Sequence, residues 1–438
     1  MRTHTCLSSL GRVGLPALLA LAACSTDSIL QVDRPDIIPP HALQGALGAT
    51  ALYNGAIGDM AYAQGTFSGL MLGAGLFSDE FQFGGTPPEV RQFDLGGLLR
   101  ENSFSQVIYL NLHRGRISAA KAAAALEKVD ASDKRVAETL ALQALATIWI
   151  GEHYCSGTPL SDYGPPIVYG NPLSTADVFN QALQLLTSAN AQGDARIANF
   201  IAVLKGRALL DNAKFPEAAL AVASVPTDYK YNFLYSAASD RTQNNMKSFI
   251  YDTDYMSVSD HEGTNGLDFA SANDPRVPVE LSQDTPTGVS RFDGKTPMYR
   301  FTRYNSFDAP ITNASGVEAR LIEAEAALNA GNPALWLQKL NEARAPWSLP
   351  DLTDPGTPPA RVDLMFRERA FAMFATAHRV GDLRRLVRQY GRPVTSVFPT
   401  GPYHKDNLTR GNQGSIIIPQ TEDNNPNYHP TDCDPLKS

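Results

Sequence analysis

Residues 316–344 read GVEARLIEAEAALNA, then GN, then PALWLQKLNEAR. The first run predicts a helix over 317–329 that stops at Gly331-Asn332, a pair that tolerates the left-handed conformation of a helix end. Pro333 follows, where a first helical turn accepts proline, and opens a second helix over 333–344. Small alanines fall where the two helices would cross. The same arithmetic recurs upstream, where a helix over 195–212, a break at Ala213-Lys214 and a helix over 215–222 form another pair. These are tetratricopeptide-like hairpins, although no strict 34-residue period survives. Such pairs cannot bury their apolar faces alone and must stack.

Outward from these pairs, the strongest helical periodicity lies at 136–154, where Ala141, Leu142, Leu145, Ile148 and Trp149 share one face. Further helices are expected at 42–62, 103–128 and 175–190, and at 362–389 with a break at Gly381. The intervening chain is different. Residues 227–310 are rich in Asp, Asn, Ser, Gly and Tyr, punctuated by prolines, with strand-like runs at 248–251 and 298–302. A lobe of that length is too long for a mere connection in a compact domain. The chain from Arg392 reads alike, with one strand-like run at 415–418. The expectation is therefore a mainly α fold, with helix pairs forming a scaffold (mainly 42–225 and 316–390). A loop-rich lobe with short strands occupies 227–315 and 391–438, and 42–438 form one domain.

The N-terminus has a charged start (Arg2, Arg12), an apolar run over 13–23 and then Cys24. That run is too short to span a bilayer and reads as a signal segment, 1–23, with a polar tether over 24–41. Leu21-Ala22-Ala23-Cys24 resembles the lipobox of bacterial lipoproteins, which would make Cys24 the lipidated residue; an ordinary secretory signal is the alternative. Loss of 1–23 leaves 35 basic against 45 acidic residues, a balance that argues against nucleic acid and against anionic lipid, leaving the anchor as the only membrane contact. With Cys6 and Cys24 assigned to the leader and the lipid, Cys155 and Cys433 remain, in an exported setting where a disulfide persists. A bridge between them is expected, two free thiols being the alternative. No CxxC or paired His accompanies them, so no metal and no cofactor is expected.

The common catalytic constellations are incomplete in this sequence. Gly288 with Gly294-Lys295-Thr296 has five residues between its glycines where a phosphate loop has four, and Pro297 blocks the helix that should follow. Gly73-Ala74-Gly75 lacks the third glycine of a dinucleotide fingerprint, Ser68 is one place off a nucleophile elbow, and HExxH is absent. Asp252, Asp254, Asp260 and Glu262 beside His261 could serve a lipid-anchored glycosidase, but acids in a polar loop usually cap turns or face solvent. The chain is expected not to be an enzyme. For ligand binding, Asp79, Glu80, Phe81, Phe83, Arg91 and Phe93 form a stretch in which exposed rings would stack on a ligand and polar groups would bond to it. The alternative is that these rings fold into the core. Tyr299, Arg300, Arg303 and Tyr304 make a second such set.

Near the C-terminus, Glu368-Arg369-Ala370, the run His378-Arg379-Val380-Gly381-Asp382-Leu383-Arg384-Arg385, Ile418-Pro419-Gln420 and Asn424-Asn425-Pro426-Asn427 resemble the closing signature of the SusD/RagB family. Leu30-Gln31-Val32-Asp33-Arg34-Pro35, Asn54-Gly55-Ala56, Ser78-Asp79-Glu80 and 318–326 match it in the same order. Thr376-Ala377 departs from it, standing where the family more often has an acid and a glycine. The resemblance implies four tetratricopeptide-like pairs with ligand held on the loop-rich lobe. It also implies a non-catalytic outer-membrane lipoprotein, facing the cell surface, that delivers an oligosaccharide or peptide to a SusC-like TonB-dependent barrel. A periplasmic scaffold with protein partners alone is the competing reading. Read without the resemblance, Arg379, Asp382, Arg384 and Arg385 form a local ion-pair and capping network.

Overall fold

Several helices begin where a side chain can take the backbone donors that a first turn leaves free. Asn102 accepts from the Ser105 N–H at 2.8 Å, Ser174 from Asp177, Asp194 from Arg196 and Ile197, Ser315 from Glu318, and Asn332 from Leu335. The computed structural model describes residues 44–162 and 166–437; the signal segment, Cys24 and the tether lie outside them. In chain order the helices are α1 (Gly45–Gly65), α2 (Leu70–Phe77), α3 (Pro88–Leu95), α4 (Ser103–Val129), α5 (Lys134–His153), α6 (Thr175–Ser188) and α7 (Ala195–Asp211). They continue as α8 (Phe215–Val222), α9 (Gly316–Asn329), α10 (Pro333–Arg344), α11 (Pro358–Ala372), α12 (Arg379–Arg388) and α13 (Val394–Val397). The predicted stop at Gly331 is present, with φ +69°, and Pro333 stands in the first turn of α10.

The scaffold is a chain of neighbours: α1 packs on α4, α4 on α5, α5 on α6, α6 on α7, α7 on α8, α8 on α9 and α9 on α10. Its core is continuous, with Trp149, Trp336, Tyr109 and Tyr154 almost fully buried. Among the described residues no helix is long and apolar enough to cross a membrane.

Short strands occupy the intervening chain: β1 (Phe81–Phe83), β2 (Thr158–Pro159), β3 (Pro172–Leu173), β4 (Lys230–Phe233), β5 (Met256–Val258), β6 (Val279–Leu281), β7 (Tyr299–Phe301) and β8 (Ile311–Ser315). They pair antiparallel as β1–β5, β2–β3, β4–β8 and β6–β7, with Phe81 opposite Val258 and a bulge at Tyr231/Asn232. The architecture is thus mainly helical, with paired helices and short strands, as expected.

Three local expectations are corrected. Residues 248–251 are not a strand but the start of a π-helical turn, Ser248–Asp252. The break in the penultimate helical run falls at 373–378, where Ala375 and Ala377 take φ +54° and +66°, and not at Gly381, which is helical. The basic cluster there is not local. Arg379 grips Asp79 in a bidentate pair at 2.7 and 2.9 Å, Arg385 reaches Glu325 and Asp211, Arg384 donates to the Gly151 carbonyl, and Arg369 pairs with Asp382. All are buried. Burial pushes the Asp382 carboxyl up, but Arg369 and Arg385 outweigh it and hold it at about 2. Cys155 and Cys433 form a disulfide, their Cα atoms 5.4 Å apart.

Candidate ligand-binding site

The stretch 79–93 does not present its rings to solvent. Phe81 and Phe83 belong to β1, paired with β5, and Phe93 lies on the inner face of α3; all three are at most 2% exposed. Asp79 is held by Arg379 and also accepts the Leu267 N–H, while Glu80 accepts the Ala375 N–H at 3.0 Å. This overturns the reading of that stretch as an exposed stacking surface: its aromatic residues build core, and its acids tie α12 down. Arg91 remains at the surface, 3.4 Å from Asp406. Tyr299 is half-buried on β7, and Tyr304 is buried with its hydroxyl donating to the Ala375 carbonyl.

What the stretch does supply is a base for other rings. Gly84 and Gly85 follow β1, and a Cβ on Gly85 would lie 2.4 Å from the Tyr255 ring and 2.5 Å from that of Phe83. Only glycine lets the two rings approach the chain so closely. From there a ladder runs outward: Phe83 (buried), Tyr255 (half-buried) and Phe292 (40% exposed). Tyr255 and Phe292 are stacked with centroids 4.4 Å apart and planes 14° from parallel. The ladder's outer ring therefore keeps an accessible apolar area on a fixed support.

Around it stand paired charges. Asp254, fully buried at φ +51°, accepts from Arg291 and Arg300, both of which also bond to Asp284, and Arg300 lies over the Tyr251 ring. Lys295 and Arg91, far apart in sequence, share Asp406, and Lys405 donates to the Phe83 and Gly85 carbonyls. A rigid aromatic step rimmed by guanidinium and carboxylate groups suits a ligand with a flat apolar face and many hydroxyls. Tyr255 and Phe292 were not singled out from sequence; the available signal was two rings beside charged residues in a polar, proline-punctuated lobe.

The acids weighed for glycoside chemistry are dispersed. Asp252 meets Lys247, Asp254 its two arginines, Asp260 accepts from Ser271, and Glu262 bonds to Arg410. Asp94, Glu262 and His404 converge, but Arg410 already donates to both carboxylates, at 3.2 and 2.6 Å, and Tyr403 donates to Asp94. The positive charge at that cluster is the protein's own guanidinium.

By sequence, no family model and no curated protein matches the chain. By structure it resembles solved proteins over most of its length. A SusD superfamily protein from Bacteroides thetaiotaomicron has 13% identity and a TM-score of 0.65, covering 86% of this chain and 98% of that one. A SusD-like carbohydrate-binding protein from Bacteroides vulgatus gives 13%, 0.56, 78% and 83%; a laminarin-binding SusD-like protein gives 15%, 0.58, 88% and 98%. The fold is SusD-like.

Proposed function

We propose that this chain is a non-catalytic, lipid-anchored binding protein that captures an oligosaccharide at the step formed by Tyr255 and Phe292. It holds the glycan at the cell surface and passes it to a SusC-like TonB-dependent outer-membrane barrel. Anchoring is through Cys24. Two structural neighbours described as binding carbohydrate or laminarin support the ligand class. The observation that carries the reading is the ring ladder in a SusD-like fold: a stacked pair whose outer ring is open and whose inner ring rests against Phe83 and Gly85.

A sugar ring stacked on Phe292 would gain about 1 kcal/mol or more, with hydrogen bonds from Arg291 and Arg300 fixing its orientation. Glycan-array screening of the chain identifies the ligand. Phe292→Ala is expected to weaken binding of it roughly tenfold while leaving the unfolding midpoint almost unchanged, since the ring is at the surface. Unchanged binding would remove the step from the site, and release of reducing sugar by the purified chain would remove the non-catalytic reading. Co-purification of a TonB-dependent barrel with the membrane-anchored chain tests the partner.

A further inference from the structure

A cleft of about 730 Å³ opens elsewhere, between the β4–β8 ribbon, the start of α9, the turn Ala345–Trp347 after α10, and the end of α11. Its size is that of a small-ligand site. One wall is apolar, formed by Trp347, Pro346, Val317, Met373 and the Tyr304 ring. The lining also carries two cations, Arg303 and Lys230.

Arg303 is unusual in this molecule, whose other arginines are largely absorbed by carboxylates. Arg303 donates once, from Nη2 to the Arg276 carbonyl at 2.8 Å, and lies over the Phe301 ring at 5.3 Å; it makes no ion pair among the described residues. Its Nε and Nη1 have no partner there. Lys230 likewise has none, and Asp228, the one carboxylate of the lining, pairs with neither. The crowded surroundings pull the Arg303 guanidinium down from its ordinary range, as happens to a cation with no anion beside it. Also in the lining, Thr312 donates to the Asn232 side-chain carbonyl oxygen at 2.8 Å, which leaves the Asn232 amide NH₂ to donate.

We infer that this cleft is a second binding site, for a carboxylate-bearing pyranose, a uronate unit of an acidic glycan. The carboxylate lies between Arg303 and Lys230, the ring packs on Trp347, and Asn232 and Thr312 meet its hydroxyls. An un-ion-paired guanidinium held in place by a carbonyl is already oriented for a carboxylate. The apolar wall suits a ring better than a bare inorganic anion. In a chain with net charge −8, such a positive recess also selects locally for anions that the rest of the surface repels.

The test is calorimetric titration of the full chain in detergent with tetragalacturonate and with its methyl ester, which removes the charge and adds only a methyl group to each unit. The free acid is expected to bind, more weakly as salt rises, and the ester at least about tenfold more weakly. Arg303→Gln is expected to cost about the same factor, and Lys230→Gln, at an exposed position that leaves folding intact, several-fold. The same titrations on a Phe292→Ala background, which removes the ring ladder as a source of signal, are expected to keep the dependence of uronate binding on charge, Arg303 and Lys230. This inference stands apart from the reading of that ladder. Absence of binding, equal affinity for acid and ester, or indifference to both cation substitutions would overturn it. So would loss of uronate binding on Phe292→Ala, which would move the ligand to the ladder, or displacement by short peptides at equal concentration, which would make the site a peptide carboxylate pocket.

Discussion

Glu80 shows what a single buried acid can do to this fold. Burial pushes its carboxyl up to about 8, against the pull of the Ala375 N–H and Arg379, and its Oε2 has no hydrogen-bond partner. At neutral pH the folded chain therefore holds a proton there that the unfolded chain, titrating near 4.5, has released. Below that value both states are protonated and the site costs nothing; as pH rises from there toward 8, stability falls. Glu80→Gln, always neutral, is expected to match the natural chain in urea unfolding at pH 4.5 and to exceed it by up to ~4–5 kcal/mol at pH 8.5. Equal stability at both values would show that Glu80 is ionised in the fold. Such roles were not legible from sequence. Asp79-Glu80 and the three phenylalanines look like a polar-aromatic loop because Gly84, Gly85, Pro87 and Pro88 punctuate it, while β1 is too short for its alternation to register. Its partner β5 lies far along the chain, so nothing local signals burial.

At the scale of elements, the helix pairs were readable because their signals are local: caps, a proline in the first turn, a left-handed stop. The two hairpins differ at one such stop. Gly331 takes φ +69° between α9 and α10, whereas the exposed Ala213 takes φ +56° between α7 and α8. An L-residue is strained there and glycine is not. Ala213→Gly is expected to stabilise the chain by ~0.5–1 kcal/mol, a gain of about 1–2 °C in thermal midpoint, after allowing for the greater freedom of glycine in the unfolded state. A loss of stability would mean that the hairpin does not depend on this conformation. The break before α12 was misplaced for the complementary reason: glycine suggested Gly381, but the turn is made by Ala375 and Ala377. The run 248–251 was misread because a short apolar segment does not distinguish strand from helix.

For the whole molecule, long-range ties dominate and sequence says little of them. The disulfide between Cys155 and Cys433 spans 278 residues and fastens the last described segment to the end of α5. Replacing both cysteines by serine, which avoids a stray thiol, is expected to lower unfolding stability by ~2–5 kcal/mol, read by denaturant titration. No change would mean that other contacts already hold that segment. Arg379, Arg385 and Arg384 make ties of the same reach, joining α12 to the end of α2 and to α5, α7 and α9. Stacked helical hairpins ordinarily contact neighbours alone, so they fray from an end, one repeat opening while the rest persist. Here a single ten-residue helix bonds to α5, α7 and α9 at once, and each bond leaves a buried charge bare if its repeat opens. The scaffold is a row of repeats in construction, and α5, α7 and α9 are expected to unfold together as one cooperative block.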